Sequence, residues 1–166
     1  VGRGGDDMVK IEPGDVIFYR PTGFIGWLVS KVSKSEYSHV SLAVDAYNII
    51  EADRFIKSRI SNLFYVEEVH KVYRIRHVTA EQQHKIVESA LTMVGVSYDY
   101  KQIYGLFMRL VFKRDSTVFN AANKYICSEI IDYAFQMSDI PRHDQLNVGD
   151  ITPQELLGKY ALERVK

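Results

Sequence analysis

The stretch Asn123-Lys124-Tyr125-Ile126-Cys127-Ser128-Glu129-Ile130-Ile131-Asp132-Tyr133-Ala134-Phe135 holds the only cysteine of the chain. Its apolar residues Ile126, Ile130, Ile131, Ala134 and Phe135 recur at i, i+4, i+5, i+8 and i+9, which is one buried face of a helix. Asn123 is a cap-forming residue, and a helix capped there carries Cys127 in its first turn or so. A thiol in that place feels the positive end of the helix dipole and nearby free N–H groups, which favour the thiolate, the useful nucleophile. By itself the stretch fits two readings, a reactive thiol or a small buried hydrophobe.

The 166 residues around it suffice for one domain with a proper core and are too few for two comfortable ones. Val1 to Asp7 reads as a flexible leader, which leaves 8–166 as a single domain. Basic and acidic residues balance at 21 each, so no electrostatic case exists for nucleic acid or an anionic membrane. A lone cysteine excludes an intramolecular disulfide and is compatible with a reducing compartment such as the cytoplasm. The longest apolar run, Ile103 to Phe112, is interrupted by Arg109 and is too short to span a bilayer.

Upstream, Pro13-Gly14-Asp15 forms a turn before a short strand, Val16 to Tyr19. Thr22 to Val32 fits a short helix containing Trp27. Tyr37 to Val44 reads as a strand in which Val40, Leu42 and Val44 alternate with Ser41 and Ala43. His39 stands at its start and shares a face with Ser41. Asp45 to Asn48 turns the chain back into Ile49-Ile50-Glu51-Ala52, an antiparallel partner. Glu51 then comes near the start of the first strand, provided the register is not shifted by one residue. A carboxylate between Ile50 and Ala52 needs a partner, and a histidine is the natural one.

Arg54 to Ser61 is expected to be a polar connection. Leu63 to Val69 and Lys71 to Arg76 look strand-like. Thr79-Ala80-Glu81-Gln82 is a capping box opening a helix through Val94, with Ile86, Val87, Ala90, Leu91 and Val94 on its buried face and Gly95 as C-cap. Val96 to Tyr100 is expected to be extended, Ile103 to Val111 helical, and Arg114 to Thr117 a loop. Pro141 to Gly149 is read as loop, and Thr152-Pro153-Gln154-Glu155 starts a short terminal helix.

By chemical type, Cys127 is a candidate nucleophile, His39 a candidate base, and Glu51 the group that holds the imidazole's tautomer and orientation. Backbone N–H groups at the start of the Cys127 helix are candidate oxyanion donors. Each also has a structural reading: His39 as a satisfied core histidine, Glu51 as a surface partner of Arg54. His84 and Glu88, four apart on one helix, fit a solvated pair. His70, His77 and His143 lack ligand spacing, and no second motif completes a zinc site. No metal or organic cofactor is called for. Asp15 reads as a turn residue, and Glu129 points elsewhere on its helix. Tyr19, Tyr98, Tyr100 and Tyr125 fit a cleft lining or ordinary packing.

The motifs Pro13-Gly14-Asp15-Val16-Ile17-Phe18, Ser38-His39-Val40, Ile50-Glu51-Ala52, Gly95-Val96-Ser97-Tyr98-Asp99-Tyr100 and Cys127-Ser128-Glu129-Ile130-Ile131, in this order, resemble the permuted papain-like amidases of the YiiX/YaeF group. These are similar to the NlpC-type cell-wall cysteine peptidases with the chain order rearranged, so that the histidine precedes the cysteine. The resemblance implies an α+β fold, circularly permuted and papain-like, in which the cysteine helix packs on an antiparallel sheet carrying the histidine. It implies a Cys127–His39–Glu51 triad and a thiol hydrolase acting on an amide of a peptide or peptidoglycan-type substrate. The wider superfamily adds lipid acyltransferases and thioesterases, which makes an acyl lipid the second substrate class. The Asn-Cys-Glu-His motif of the lecithin-retinol-acyltransferase branch is absent, since the chain reads Ile126-Cys127-Ser128-Glu129. A non-catalytic binding module on the same fold is the third reading.

Overall fold

The computed structural model describes residues 9–22, 36–52, 58–95, 118–143 and 151–166, with the backbone alone described over 118–126. Among these, six antiparallel strands form one sheet: β1 (Val16–Tyr19), β2 (His39–Ala43), β3 (Asn48–Ala52), β4 (Ser58–Asn62), β5 (His70–Ile75) and β6 (Leu162–Arg164), in the order β4-β3-β2-β1-β5-β6. Three helices accompany it: α1 (Ala80–Leu91), α2 (Val118–Met137) and α3 (Pro153–Lys159). The fold class is the α+β arrangement expected from the sequence, with the cysteine-bearing helix on an antiparallel sheet.

The run Val-Ile-Phe-Tyr of β1 becomes the centre because its side chains are apolar on both faces, as a strand covered on both sides requires. Val16 and Phe18 enter the larger core with Val40, Leu42, Ile50, Ile86, Ala90, Cys127, Ile130, Ile131, Ala134 and Phe135. Ile17 points the other way and packs with Ile11, Ala43, Ile49 and Val72. Full burial of a side chain such as Phe135 or Ile131 contributes about 1.5–3 kcal/mol. The mixed parity of β5 follows from the same two-sided burial. Val72 serves the second layer, while Tyr73 and Ile75 face the helices.

The turn before β1 depends on Gly14, whose φ of +84° suits glycine. Asp15 ties that turn by accepting from the Glu12 N–H at 2.8 Å. Asp15 is fully buried and also takes a forked pair of bonds from Arg74, Nε at 2.7 Å and Nη2 at 2.8 Å. Burial pushes its carboxyl above the usual range despite the guanidinium and the backbone donor.

Several local expectations change. Ser58–Asn62, expected within a polar connection, is the edge strand β4, paired along its length with β3. Arg59 and Ile60 are exposed at this sheet edge, and the strand is otherwise polar. Leu63 to Val69 is not a strand. Its alternation is real, since Leu63 and Tyr65 pack on the second sheet face while Phe64 and Val66 are exposed, but among the described residues no strand pairs with it. β6 pairs with β5 and has no counterpart in the sequence reading. The α1 capping box is present as expected, with Thr79 Oγ1 accepting from the Gln82 N–H and the Gln82 side chain accepting from the Thr79 N–H. The helix closes at Leu91 with Thr92 as C-cap; Leu91 is partly exposed, and Gly95 with φ +76° follows in the turn. Thr152 and Glu155 form the second capping box, at α3.

The helix expected over Thr22 to Val32, the extended Val96 to Tyr100, the helix Ile103 to Val111, the loop Arg114 to Thr117 and most of the Pro141 to Gly149 loop lie outside the described residues. Among the described residues, no helix is long and apolar enough to cross a membrane.

Candidate active site

The largest correction concerns α2. It begins at Val118, so Asn123 lies inside it and does not cap it. Cys127 stands nine positions on (127 − 118 = 9), about 13 Å along the axis at the usual helical rise. The thiol is therefore mid-helix. The free N–H groups at the helix start are too far away to polarise it or to receive an oxyanion beside it. What acts on the sulfur comes instead from the sheet.

Cys127 projects from α2 into the layer between helix and sheet and is 2% exposed. β2 brings His39 beside it. β3 brings Glu51 to the same ring, because Leu42 pairs with Ile50 and Ala43 with Ile49. Continuing that register sets Glu51 opposite Ser41, on the same face as His39 and diagonal to it, within reach of a long side chain. Glu51 Oε2 lies 3.7 Å from His39 Nε2. The register condition attached to this pair is thus met.

The electrostatics follow from this placement. Burial opposes the imidazolium of His39, but the charge of Cys127, a hydrogen bond with Cys127 and the Glu51 carboxylate together outweigh it. The His39 pKa is pushed up to about 9. Glu51 moves the opposite way. The pull of the His39 ring 3.7 Å away leads, burial opposes, and donors from Ser61 and Arg59 add to it, holding the carboxyl down at about 2. Glu51 is therefore an anion throughout the neutral range, and 27% of the His39 side chain remains exposed.

Three further side chains complete the surroundings. Ser61 Oγ donates to Glu51 Oε1 at 2.6 Å, and Arg59 donates to the same oxygen from Nε at 3.2 Å and Nη2 at 3.1 Å. The Tyr19 ring packs against the His39 ring at 5.0 Å, with its hydroxyl 3.0 Å from Ser41 Oγ. Burial pushes the Tyr19 phenol up to about 12, against the Ser41 bond and with help from the Glu51 charge, so this wall stays uncharged. Ser61 and Arg59 escaped the sequence reading because they stood in a presumed connection. The signal available was the polar alternation Arg59-Ile60-Ser61 of an edge strand.

The remaining candidates fall elsewhere. His84 and Glu88 form an exposed pair at 3.1 Å. His70 is buried against Tyr19 and Tyr65, and its Nδ1 accepts from the Val66 N–H at 2.8 Å. His77 occupies a positive-φ turn, and His143 Nδ1 is 3.3 Å from the Gly158 carbonyl. Tyr98, Tyr100 and the Tyr125 side chain lie outside the described residues, as does Arg54. Among the described residues, no group of three or more His, Cys, Asp and Glu side chains is arranged to hold a metal ion.

In chain order, then, an imidazole, a carboxylate and a thiol are brought together. The family described as "permuted papain-like amidase enzyme, YaeF/YiiX" matches residues 10–158. The chain belongs to that family. Its members are cysteine amidases or peptidases by description, which makes a cysteine hydrolase the activity at family level. Among solved structures, the chain is similar to one titled as the crystal structure of metalloprotein yiiX from Escherichia coli O157:H7. The two share 16% sequence identity and a TM-score of 0.59, over 95% of this chain and 97% of the other. At that identity the likeness concerns the fold. No curated protein matches the chain.

Proposed function

We propose that this permuted papain-like amidase cleaves an amide bond in a peptide or peptidoglycan-type substrate through an acyl-enzyme on Cys127, with His39 as base and acid and Glu51 as the orienting carboxylate. The observation that carries the reading is the His39 imidazole, engaged by both Cys127 and Glu51. A satisfied core histidine has no need of a thiol and an ionised carboxylate together, whereas nucleophilic catalysis by a weak thiol needs both.

In the resting site His39 already holds the proton of the Cys127 thiol, and in the first half-reaction Sγ attacks the amide carbonyl, giving a tetrahedral intermediate. The C–N bond then breaks, and the imidazolium gives its proton to the departing amine. In the second half, His39 takes a proton from water and the hydroxide attacks the thioester carbonyl. The C–S bond breaks, the acid is released and the thiol is restored. Glu51 stays ionised throughout and stabilises each imidazolium as it forms. The exposed quarter of the His39 side chain supplies the opening through which amine and water reach the ring.

The test is a substrate panel read by mass spectrometry: a muramyl-peptide fragment, a simple peptide amide, and a fatty-acyl ester and thioester. The reading expects an acyl mass on the peptide containing Cys127 from an amide substrate, release of the amine, and loss of both in Cys127→Ala. An adduct from the lipid substrates alone would move the substrate to an acyl lipid. Undiminished turnover in Cys127→Ala would rule out the mechanism.

A further inference from the structure

The two oxygens of Glu51 have different employers. Oε2 faces His39, while Oε1 accepts from β4, once from Ser61 and twice from Arg59. Arg59 stands directly across the β3–β4 ladder from Glu51, and Ser61 is its diagonal neighbour on the same face. The two partners pull differently. A guanidinium fork prefers both oxygens of a carboxylate, in a paired, parallel geometry. Arg59 is 55% exposed, so that preferred geometry would draw the carboxylate outward, away from the imidazole. Ser61 is the shorter bond, from a side chain with one torsion on a paired strand.

We propose that Ser61 is a positioning residue of this site: its hydroxyl fixes Oε1 of Glu51 on the edge strand, so that Arg59 cannot take both oxygens and Oε2 stays turned to His39. This rests on the triad reading above and adds to it the group that decides which way the carboxylate faces. The chain brings it in through β4, a strand with no catalytic side chain of its own.

The sign of one titration separates positioning from simple electrostatics. Suppose Ser61 acted only as a donor dipole. Its removal would leave a more basic carboxylate in place, and the imidazolium would be held more tightly, raising the His39 midpoint. If Ser61 positions the carboxylate, removal lets Glu51 turn to Arg59, and the midpoint falls from about 9 toward the ordinary 6.5.

The experiment is a pH titration of the His39 ring signals by NMR in the full chain, assigned with His39→Gln and needing no substrate. The expected result is a lower midpoint in Ser61→Ala and a retained one in Ser61→Thr, which keeps the hydroxyl and suits a strand. Adding Arg59→Leu to Ser61→Ala removes the competing fork and should bring the midpoint back up. An unchanged or raised midpoint in Ser61→Ala overturns the proposal, as does failure of Arg59→Leu to restore it. Glu51→Gln distinguishes the two levels. If it lowers the midpoint while Ser61→Ala does not, positioning alone is overturned; if neither does, the role of Glu51 in the triad falls with it.

Discussion

Burial opposes the charged form of His39, and its two neighbours, Cys127 and Glu51, together outweigh it. Cys127→Ala and Glu51→Gln should therefore each lower the His39 midpoint, which the same ring signals report. At a different residue, Asp132 is fully buried, with Arg142 Nη1 donating to both of its oxygens at 3.2 and 3.0 Å and the Tyr160 hydroxyl on Oδ1. Removing that carboxylate takes from the buried guanidinium the acceptor of its Nη1. Asp132→Ala should cost about 3–5 kcal/mol in urea unfolding, while leaving the His39 titration where it was. The catalytic candidates were legible as residues because thiol, imidazole and carboxylate are scarce in buried-looking strands and helices. Ser61 was not, because nothing in a serine's identity says which oxygen it will hold.

At the scale of elements, the starts of α1 and α3 were legible because each cap and the groups it meets lie within four consecutive residues. Thr79→Ala should accordingly cost about 1 kcal/mol, measured by urea unfolding, with Thr79→Ser restoring most of it. The start of α2 was not legible. Val118-Phe119-Asn120-Ala121-Ala122 is compatible with a helix, and asparagines at 120 and 123 offer two equivalent caps. The chain runs helically through both, and the dipole argument for the thiol is lost with the cap. Likewise β4 is recognisable only through its partner: Ser58 to Asn62 pairs residue for residue with β3, and that ladder is what brings Arg59 and Ser61 to the carboxylate. An edge strand with a solvated face carries no apolar period for a sequence to show.

For the whole molecule, the site and the fold share one ion pair, so pH acts on both. His39 has a folded pKa near 9 against 6.5 in the unfolded chain. Its contribution to stability is full below about 6.5 and is lost as pH rises through 9. Glu51 is depressed from 4.5 to about 2, so its contribution is full above 4.5 and is lost as pH falls toward 2. The difference in Tm between the parent and His39→Gln should be largest between these limits, from about pH 4.5 to 6.5, and shrink toward pH 9. A difference that grew from pH 6.5 to 9 would contradict the assignment. Permutation leaves this logic intact. The hairpin of β2 and β3 delivers imidazole and carboxylate from the first third of the chain, and α2 delivers the thiol long after, so the three side chains meet only once helix and sheet have packed.

The most direct measurement of the central claim is the rate at which iodoacetamide alkylates Cys127 across pH 5 to 9, in the parent and in His39→Ala. If the thiolate is held by an imidazolium, the parent reacts well below the pH at which a free thiol does. His39→Ala then loses a charge-assisted bond of about 1.5–3 kcal/mol, a fall of roughly tenfold or more in rate at acidic pH. A Cys127 that alkylates at the same rate with and without His39, along the profile of a free thiol, would contradict the account and return this cysteine to the core it is buried in.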